Sequence, residues 1–387
     1  MQYRNFKLPD FKLEVFFSQW EFKARLNMAA SDVESLSLES LLALASPQDR
    51  KDYEQIALSY ADPWGSEALR AVIAETYEQI NQDQLLCFTG AQEGIYIAMH
   101  CLLEANDHAL VMAPNYQSAQ SIPEQLCAVD VIPLDAQNNW RIDLEAVARA
   151  IRPNTKLISV NLPNNPTGAL ISNQDFQALI ALCAKQGIWL FCDEVYRGLE
   201  QDESLRLPHG ADCYERAISL NVLSKAYGLP GLRLGWIATQ DRALLERMER
   251  MKHYTSICNP VITEQLGIIA IKARDQIIGH NRQALSLALD KMDSFFARYP
   301  SLFEWQRPQA ASVTYPRYLG RDGVENFCRG LIEEESLILL PASLYETERC
   351  TLPADRFRIG FGRFSTIDEG LQAMQAYIER HHNAIMP

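Results

Sequence analysis

The residue of this sequence that most clearly could perform chemistry is a lysine that follows a strand-like run. Lys225 comes directly after Ser224 at the end of a β-branched and apolar run, and a Gly/Pro-rich turn separates it from Arg233, eight residues on. A lysine crowded by cations or apolar walls can lose its proton and act as a nucleophile or a base. A lone lysine is more often a solvated surface group, so two further segments decide between these alternatives.

Both of those segments lie upstream and also place polar side chains after a strand-like run. The stretch 161–168, Asn-Leu-Pro-Asn-Asn-Pro-Thr-Gly, follows the run 156–160, and the apolar run 188–192 ends at Asp193, with Tyr196 three residues on. In a parallel sheet the carboxyl ends of the strands lie on one edge, where ligands bind. We therefore expect an amide, a carboxylate, a phenol and an amine to face one site.

This set of groups suits pyridoxal phosphate (PLP). An acid can hold a pyridinium nitrogen protonated, an amide and a phenol can contact a ring oxygen, and a lysine amine can bind the aldehyde carbon. An alternative for Asp193 is a helix N-cap, a position where Asp is favoured.

In these motifs, taken in order, the chain resembles the fold-type I PLP-dependent enzymes of the class I and II aminotransferase family, from about residue 25 to residue 375. The resemblance implies an α/β protein with a large, mostly parallel sheet and a smaller α/β domain built from both chain ends. Residues 46–260 would form the large PLP-binding domain, and residues 1–45 and 261–387 the small domain. It also implies a PLP-dependent enzyme that acts on a small-molecule amino acid as a homodimer.

The resemblance further implies a role for each site residue. Lys225 would be the catalytic lysine that binds the cofactor, and Asp193 would hold the ring nitrogen. The other implied cofactor contacts are Asn165 and Tyr196 at the ring oxygen, Ser224 and Arg233 at the phosphate, Gly90, Ala91 and Gln92 at a helix start, Tyr116 stacked on the ring, and Tyr60 reaching the neighbouring subunit's phosphate. Many relatives carry a hydroxyl residue where this chain has Val222, so we expect a greater dependence on Gln92 and Tyr60.

Two arginines near the end of the chain are candidates for substrate binding. Arg358 matches the family arginine that binds the substrate α-carboxylate, for which a planar guanidinium is suited. An arginine in a surface ion pair is the alternative. For Arg363, a solvated surface charge is at least as good an interpretation as a functional role.

The N-terminal segment bears on the identity of the substrate. Residues 11–22 mix aromatic and acidic side chains, and Asp32 follows. These clusters and the run 252–259 resemble a subgroup that includes capreomycidine-synthase-type and enduracididine-forming cyclases, which act on hydroxylated arginines. The resemblance implies that Glu14 or Asp32 lies near a guanidinium, through paired charge-assisted hydrogen bonds. Equally, the aromatic residues could be a docking helix face with the acids on its solvated side.

Three functions remain open at this point. The preferred hypothesis is elimination and cyclisation of a hydroxylated arginine to a cyclic guanidine amino acid. The alternative is an ordinary transaminase acting between an L-amino acid and a 2-oxo acid. A PLP-fold regulator without turnover is the third, and the retained lysine, acid and arginines argue against it.

Composition agrees with an enzyme of the cytoplasm. A net charge of −13 argues against nucleic acid and anionic membrane surfaces as partners, and no stretch approaches the roughly 18 apolar residues of a membrane span. The nine cysteines contain no Cys-x-x-Cys pair, which favours buried thiols in a reducing compartment over disulfides or a metal site. The first ten residues lack the apolar core of a signal peptide.

The elements that must position these residues follow an alternating α/β pattern. The predicted strands are Ala109–Ala113, Val129–Pro133, Lys156–Asn161, Ile188–Cys192, Ala217–Leu220 and Arg233–Ala238. A helix is predicted over Asn173–Lys185, a long helical pattern runs from Ile262 to Tyr299, and a last helical stretch ends at Ile378–His382.

Overall fold

The computed structural model describes residues 8–386. Its strands are β1 (Leu26–Asn27), β2 (Leu85–Phe88), β3 (His108–Ala113), β4 (Ala128–Pro133), β5 (Thr155–Asn161), β6 (Trp189–Asp193), β7 (Ala217–Val222), β8 (Gly235–Ala238), β9 (Phe303–Glu304), β10 (Val313–Thr314), β11 (Arg317–Tyr318), β12 (Leu337–Ile338), β13 (Leu340–Pro341) and β14 (Phe357–Gly360). Its α-helices are α1 (Lys12–Trp20), α2 (Leu38–Ala43), α3 (Pro47–Glu54), α4 (Glu67–Ala74), α5 (Ala91–Leu102), α6 (Ser118–Leu126), α7 (Leu144–Ala150), α8 (Asn173–Gln186), α9 (Gly210–Cys213), α10 (Arg242–Lys252), α11 (Val261–Lys272), α12 (Arg274–Phe296), α13 (Val324–Glu335), α14 (Ile367–Arg380) and α15 (His382–Ile385).

A seven-stranded sheet in the order β2-β8-β7-β6-β5-β3-β4 forms the centre of the molecule. Strands β3 to β7 pair in parallel, and β8 pairs antiparallel with both β7 and β2. Strands β2, β3, β7 and β8 are buried at every position, as expected for a sheet covered by helices on both faces. This confirms the predicted α/β architecture with a large, mostly parallel sheet.

The register of this sheet brings the strand ends together. Asn161 at the end of β5 is paired with Asp193 at the end of β6, and Asp193 is paired with Leu220 in β7. Because β8 runs in the opposite direction, its first residue, Gly235, pairs with Val222, the last residue of β7. The segment that carries Arg233 therefore enters the sheet at the same edge.

The N-terminal segment joins the C-terminal part of the chain. Strand β1 pairs in parallel with β12, and the backbone N–H of Gly360 in β14 donates to the carbonyl of Met28. Helix α11, which was assigned to the small domain, packs against α4, α3 and α2. The domain boundaries at residues 46 and 260 stay a prediction.

Three sequence-based expectations differ from the structure. The strand expected from Arg233 begins only at Gly235, because Arg233 adopts a left-handed conformation with φ of 51°. The helix expected from Ile262 to Tyr299 is two helices, since α11 ends at Lys272 and α12 begins at Arg274. Strand β2 was not expected, because a four-residue apolar run carries no period that separates strand from helix.

Two expectations from composition concern the described residues. In residues 8–386 no helix combines the length and apolar character that crossing a bilayer needs. All nine cysteines are free thiols, and four of them are buried. The expectation about a signal peptide rests largely on residues 1–7, which lie outside the described residues.

Candidate active site

A cleft of about 700 Å³ opens at the edge of the sheet where β5, β6 and β7 end. Of the residues predicted for the site, those that line it are Glu14, Asp32, Ala91, Gln92, Tyr116, Asn165, Asp193, Tyr196, Ser224, Lys225, Arg233 and Arg358. Gly90 lies just before the lining residues of α5. Tyr60 is 85% exposed and is not part of the lining.

Asp193, at the end of β6, is half-buried and lines this cleft. Burial raises its pKa to about 7, with Glu194 adding to the rise, while the backbone N–H of Val195 and the Lys225 amine lower it. Residues 195–198 form a turn, so Asp193 begins no helix and the N-cap alternative is wrong. The carboxylate is therefore available to a positive group in the cleft.

Glu194, which the sequence analysis did not single out, holds this strand end in place. Its carboxylate accepts hydrogen bonds from the Ser219 hydroxyl at 2.6 Å and from the Gly210 backbone N–H at 2.9 Å, and it also contacts His209 and Asn221. Burial opposes its charge, but His209 and the other donors bring its pKa below the ordinary value. Glu194 thus stays ionised and bound to its neighbours.

The Lys225 amine donates a hydrogen bond to the Ser31 hydroxyl at 2.8 Å. Burial lowers the pKa of Lys225, Asp32 acts against that shift and Arg358 adds to it. The Ser31 backbone is itself held, because its carbonyl accepts from the Ser312 hydroxyl at 2.8 Å. Sequence reasoning missed Ser31 as a site residue, since the two partners are 194 positions apart.

The phenol of Tyr196 lies beside Lys225 and Ser31. Tyr196 is 1% exposed, and its hydroxyl lies near Ser31 but makes no hydrogen bond of normal geometry. A buried hydroxyl without a partner costs free energy, of the order of 1–3 kcal/mol. The Tyr196 hydroxyl is therefore placed to contact a polar atom of a ligand in the cleft.

The start of α5 and Arg233 form a cradle with the features of an anion site. Gly90, at φ of 85°, precedes the helix, and a Cβ at this position would lie 2.5 Å from the Arg233 Nη2 atom. Glycine is therefore required for the guanidinium to approach the first turn. The backbone N–H groups of Ala91 and Gln92 are in that turn, where helices bind anions. The Gln92 side-chain oxygen has no hydrogen-bond partner.

Arg358 is almost completely buried in β14, at 1% exposure. Its Nη1 atom donates to Asn165 Oδ1 at 3.0 Å and its Nη2 atom donates to the Ala29 carbonyl at 2.6 Å, while Nε has no partner. The surface ion-pair alternative is therefore wrong. A guanidinium without a carboxylate partner in this position can bind a carboxylate of a ligand, because a buried charge otherwise costs several kcal/mol.

The N-terminal segment brings three carboxylates to the same cleft. Glu14 in α1 accepts a hydrogen bond from the Tyr116 hydroxyl at 2.7 Å. Asp32 is 7% exposed and forms a paired contact with Arg363 Nε and Nη2, each at 3.3 Å. Glu21 lies 3.9 Å from the same Nη2 atom. Arg363 is thus a cleft residue that binds Asp32, and the interpretation as a solvated surface charge is wrong.

The aromatic residues of this segment serve partly as the docking face that was considered as an alternative. Phe16, Phe17 and Trp20 pack against a core cluster around the sheet, while Phe22 is 93% exposed. Phe17 and Phe22 also line the cleft. The aromatic side chains therefore attach α1 to the core, and the acids of the segment face the cleft.

Comparisons with known proteins agree with this geometry. A family model described as "Aminotransferase class I and II" matches residues 26–374. Capreomycidine synthase of Streptomyces vinaceus is 25% identical over 385 residues, which cover 97% of this chain and 95% of that protein. Arginine–pyruvate transaminase AruH of Pseudomonas aeruginosa is 30% identical over 254 residues, 63% of each chain. The structure of a PLP-dependent aminotransferase from Streptococcus suis 89-1591 superposes with a TM-score of 0.90 at 30% identity, covering 97% of this chain and 98% of that one.

Proposed function

Since this chain belongs to the class I and II aminotransferase family and is a PLP-dependent enzyme, we propose that it removes the Cα proton of an L-amino acid with an arginine-like side chain. We further propose that elimination and cyclisation follow. In the overall reaction a hydroxylated arginine loses its γ-hydroxyl as water, and a guanidine nitrogen bonds to Cγ and closes a five-membered ring. The observation that carries the choice of substrate is the set of three carboxylates in the cleft.

The strand-end residues supply what the cofactor needs. Lys225 would attach it, Asp193 would bind its ring nitrogen, and Asn165 and Tyr196 would contact the ring oxygen. Ser224, Arg233, Gly90, Ala91 and Gln92 would hold the phosphate, and Tyr116 would lie beside the ring. The unpartnered Tyr196 hydroxyl and the close approach of Gly90 to Arg233 support this assignment.

PLP supplies an electron sink that stabilises negative charge at the substrate Cα. Lys225 takes the Cα proton and returns it, as a general base and acid. Its lowered pKa supports this role, because more of the amine is then neutral near pH 7. The hydrogen bond to Ser31 at 2.8 Å holds the amine in one direction within the cleft.

Arg358 binds the substrate α-carboxylate. Its Nη1 and Nη2 atoms are already oriented by Asn165 and by the Ala29 carbonyl, so little side-chain entropy is lost when the carboxylate binds. The buried Nε atom has no partner in the protein. The same Asn165 thereby links the carboxylate site to the ring-oxygen site.

The N-terminal segment binds the side chain of the substrate. Lys225 and Arg358 also line the cleft but serve the cofactor and the α-carboxylate in this proposal, which leaves an excess of carboxylates at the other end, where Glu14, Glu21 and Asp32 lie with Arg363. An acidic or apolar side chain would leave this excess uncompensated, whereas a guanidinium forms paired hydrogen bonds with carboxylates. Two relatives agree with this choice, since one is a capreomycidine synthase and another an arginine–pyruvate transaminase.

Transamination of the same class of substrate is the second candidate. It is favoured by the similarity to an arginine–pyruvate transaminase and to the aminotransferase from Streptococcus suis. The two reactions differ in their need for a second substrate. Transamination stops after one half-reaction unless a 2-oxo acid is present, whereas elimination with cyclisation needs none.

The test is incubation with γ-hydroxyarginine, arginine, aspartate, alanine and phenylalanine, in each case without a 2-oxo acid. The proposal expects many turnovers of γ-hydroxyarginine, with a cyclic product detected by mass spectrometry and the cofactor absorbance unchanged at the end. A single half-reaction that leaves the cofactor aminated would identify a transaminase. A preference of the wild-type protein for acidic or aromatic amino acids would overturn the choice of substrate class.

A further inference from the structure

The three carboxylates of the N-terminal segment differ in how far the protein itself satisfies them. Glu14 accepts a hydrogen bond from Tyr116 at 2.7 Å. Asp32 is buried and accepts two contacts from Arg363 at 3.3 Å. Both already have a hydrogen-bond or ion-pair partner within the protein, so their charge is compensated in part before a substrate cation binds. Neither is therefore the first choice for that task.

Glu21 is the carboxylate with the least compensation. Its nearest cation is Arg363 Nη2, at 3.9 Å, which is beyond hydrogen-bond distance. Burial raises the pKa of Glu21, Arg363 and Lys225 lower it, and the neighbouring carboxylates Asp32 and Glu14 raise it further. The side chain is 29% exposed and lines the cleft, so a ligand can reach it.

The position of Glu21 in the fold also suits a residue that binds the side chain of the substrate. It is the C-cap residue that follows α1, and its backbone N–H donates to the Phe17 carbonyl. Phe17 and Phe22, on either side of it in sequence, line the same cleft and offer apolar surface for methylene groups. Tyr196 and Arg358 line the same cleft, and each has a buried polar atom, the hydroxyl and Nε, without a hydrogen-bond partner in the protein.

We infer that Glu21 is the specificity-determining residue that binds the cationic end of the substrate side chain, an inference that rests on the proposed arginine-like substrate. The guanidinium donates paired hydrogen bonds to the Glu21 carboxylate and lies beside the Asp32–Arg363 pair, which stays intact. Its positive charge offsets the repulsion between Glu21, Asp32 and Glu14. Glu14 keeps its hydrogen bond to Tyr116 and so attaches α1 to the site.

The experiment measures binding rather than turnover, so that it does not depend on which reaction follows. In a Lys225→Ala background with PLP added, the affinities for L-arginine and for L-citrulline are determined by calorimetry. Citrulline has nearly the shape of arginine but carries no charge on its side chain. In this background Glu21→Gln is expected to weaken arginine binding by about tenfold or more, because a charge-assisted paired contact is lost. Citrulline binding is expected to change less than about threefold.

Glu39→Gln is the matched control, because Glu39 lies in the first turn of α2 and the change in net charge is the same. It is expected to leave both affinities unaltered. Arginine affinity should also fall on acidification, as Glu21 takes up a proton in the presence of Arg363, Asp32 and Glu14, and Glu21→Gln should lack that acid limb. Lys225, which lowers the pKa of Glu21 in the wild type, is absent from both proteins in this background. Thermal unfolding of each variant verifies that the fold is retained.

The outcomes separate this inference from the proposed function. If the starting protein prefers arginine to citrulline, and Glu21→Gln keeps that preference while Asp32→Asn or Glu14→Gln abolishes it, the role of Glu21 is wrong and the substrate class stands. If the starting protein has no preference for arginine over citrulline, both the inference and the substrate class are wrong. Loss of the preference in Glu21→Gln alone supports both.

Discussion

Asp193 and Glu194 are neighbours in the chain and both are withdrawn from solvent, Glu194 the more completely, yet their environments shift their pKa values in opposite directions. Burial dominates at Asp193 and raises its pKa to about 7. At Glu194 the contacts with His209, Ser219 and the Gly210 backbone outweigh burial and lower the pKa. Asp193 is thus available to bind a positively charged group of a ligand, whereas Glu194 fixes the end of β6 that carries Asp193.

Replacing Asp193 by alanine is expected to leave PLP bound and to remove most activity. The acid keeps the ring nitrogen of the cofactor charged, and losing a preorganised electrostatic partner raises the barrier by at least about 3 kcal/mol, about a hundredfold in kcat. Steady-state kinetics and the visible absorbance of the bound cofactor measure the two effects separately. Turnover near the wild-type rate in Asp193→Ala would refute the assigned role.

The raised pKa of Asp193 also predicts how stability depends on pH once the cofactor is removed. The folded-state pKa, about 7, is above the ordinary value of 3.8, so the fold favours the protonated acid. Its contribution to stability is present below pH 3.8 and is lost as pH rises to 7. Asparagine does not titrate, so the stability of cofactor-free Asp193→Asn relative to wild type should increase by up to about 3 kcal/mol between pH 5 and pH 8.

Urea unfolding of the two cofactor-free proteins at both pH values measures this difference. Adding PLP to the wild type at pH 8 should reduce it, since a positive ring nitrogen compensates the carboxylate. A difference that does not change with pH would show that Asp193 has an ordinary pKa in the fold.

At the scale of elements, helix α1 is attached to the cleft by residues that lie far from it in sequence. Its N-cap residue, Phe11, supplies no side-chain hydrogen bond. Instead Gln117 accepts from the Lys12 backbone N–H at 2.9 Å and donates to the Asp10 carbonyl at 2.9 Å. Gln117 thus performs the task of a cap from another part of the chain, beside Tyr116, which binds Glu14.

Gln117→Ala is expected to loosen α1 without disturbing cofactor binding. Removing a cap or a comparable hydrogen bond costs about 1 kcal/mol, so amide hydrogen exchange should accelerate by about fivefold or more over residues 12–20. Because α1 carries Glu14 and leads into Glu21, KM for the substrate should rise while the affinity for PLP stays the same. Gln375→Ala, in the distant helix α14, is the control and should change neither quantity.

At the scale of the whole molecule, the prediction that Tyr60 reaches the site of a second chain depends on where this residue lies. Tyr60 is 85% exposed and does not line the cleft of its own chain. Its loop is nevertheless anchored, because the buried Lys252 amine donates to the Pro63 carbonyl at 2.7 Å and to the Cys87 carbonyl at 2.8 Å. An exposed tyrosine on a loop anchored in this way suits contact with a second copy of the chain, and the resemblance to the family implies the same.

A homodimer with shared sites predicts complementation between two inactive variants. In a mixed dimer of Tyr60→Ala and Lys225→Ala chains, one site has an intact Lys225 and receives an intact Tyr60 from its partner. Random exchange of subunits should therefore restore up to about a quarter of wild-type activity. Mixtures of Arg233→Ala with Lys225→Ala should stay inactive, because both of these residues serve the site of their own chain. Full activity of a sedimenting monomer would rule out shared sites.

The sequence by itself indicated six of the seven strands of the central sheet and the residues at their ends. Asn165, Asp193, Tyr196 and Lys225 could be assigned to one site because each lies within a few residues of the end of an apolar run, and a parallel sheet places such positions on one edge. The motif order and the resemblance to the family then indicate PLP as the cofactor. The prediction of strand Arg233–Ala238 failed at its first residue, since the left-handed backbone of Arg233 has no signature in the pattern of apolar residues.

Only the tertiary structure decided how the N-terminal segment and the last strands complete the cleft. Ser31 meets Lys225 across 194 positions, and Arg358 meets Asn165 across 193. Glu21, Asp32 and Arg363 come together in the same way. Contacts over such separations leave no periodic signal in the sequence. The pattern of apolar residues in a helix or strand indicates which of its faces is buried, but not which other element packs against that face. The sequence could therefore indicate which cofactor is bound, whereas the arrangement of charges that supports an arginine-like substrate emerged only from the fold.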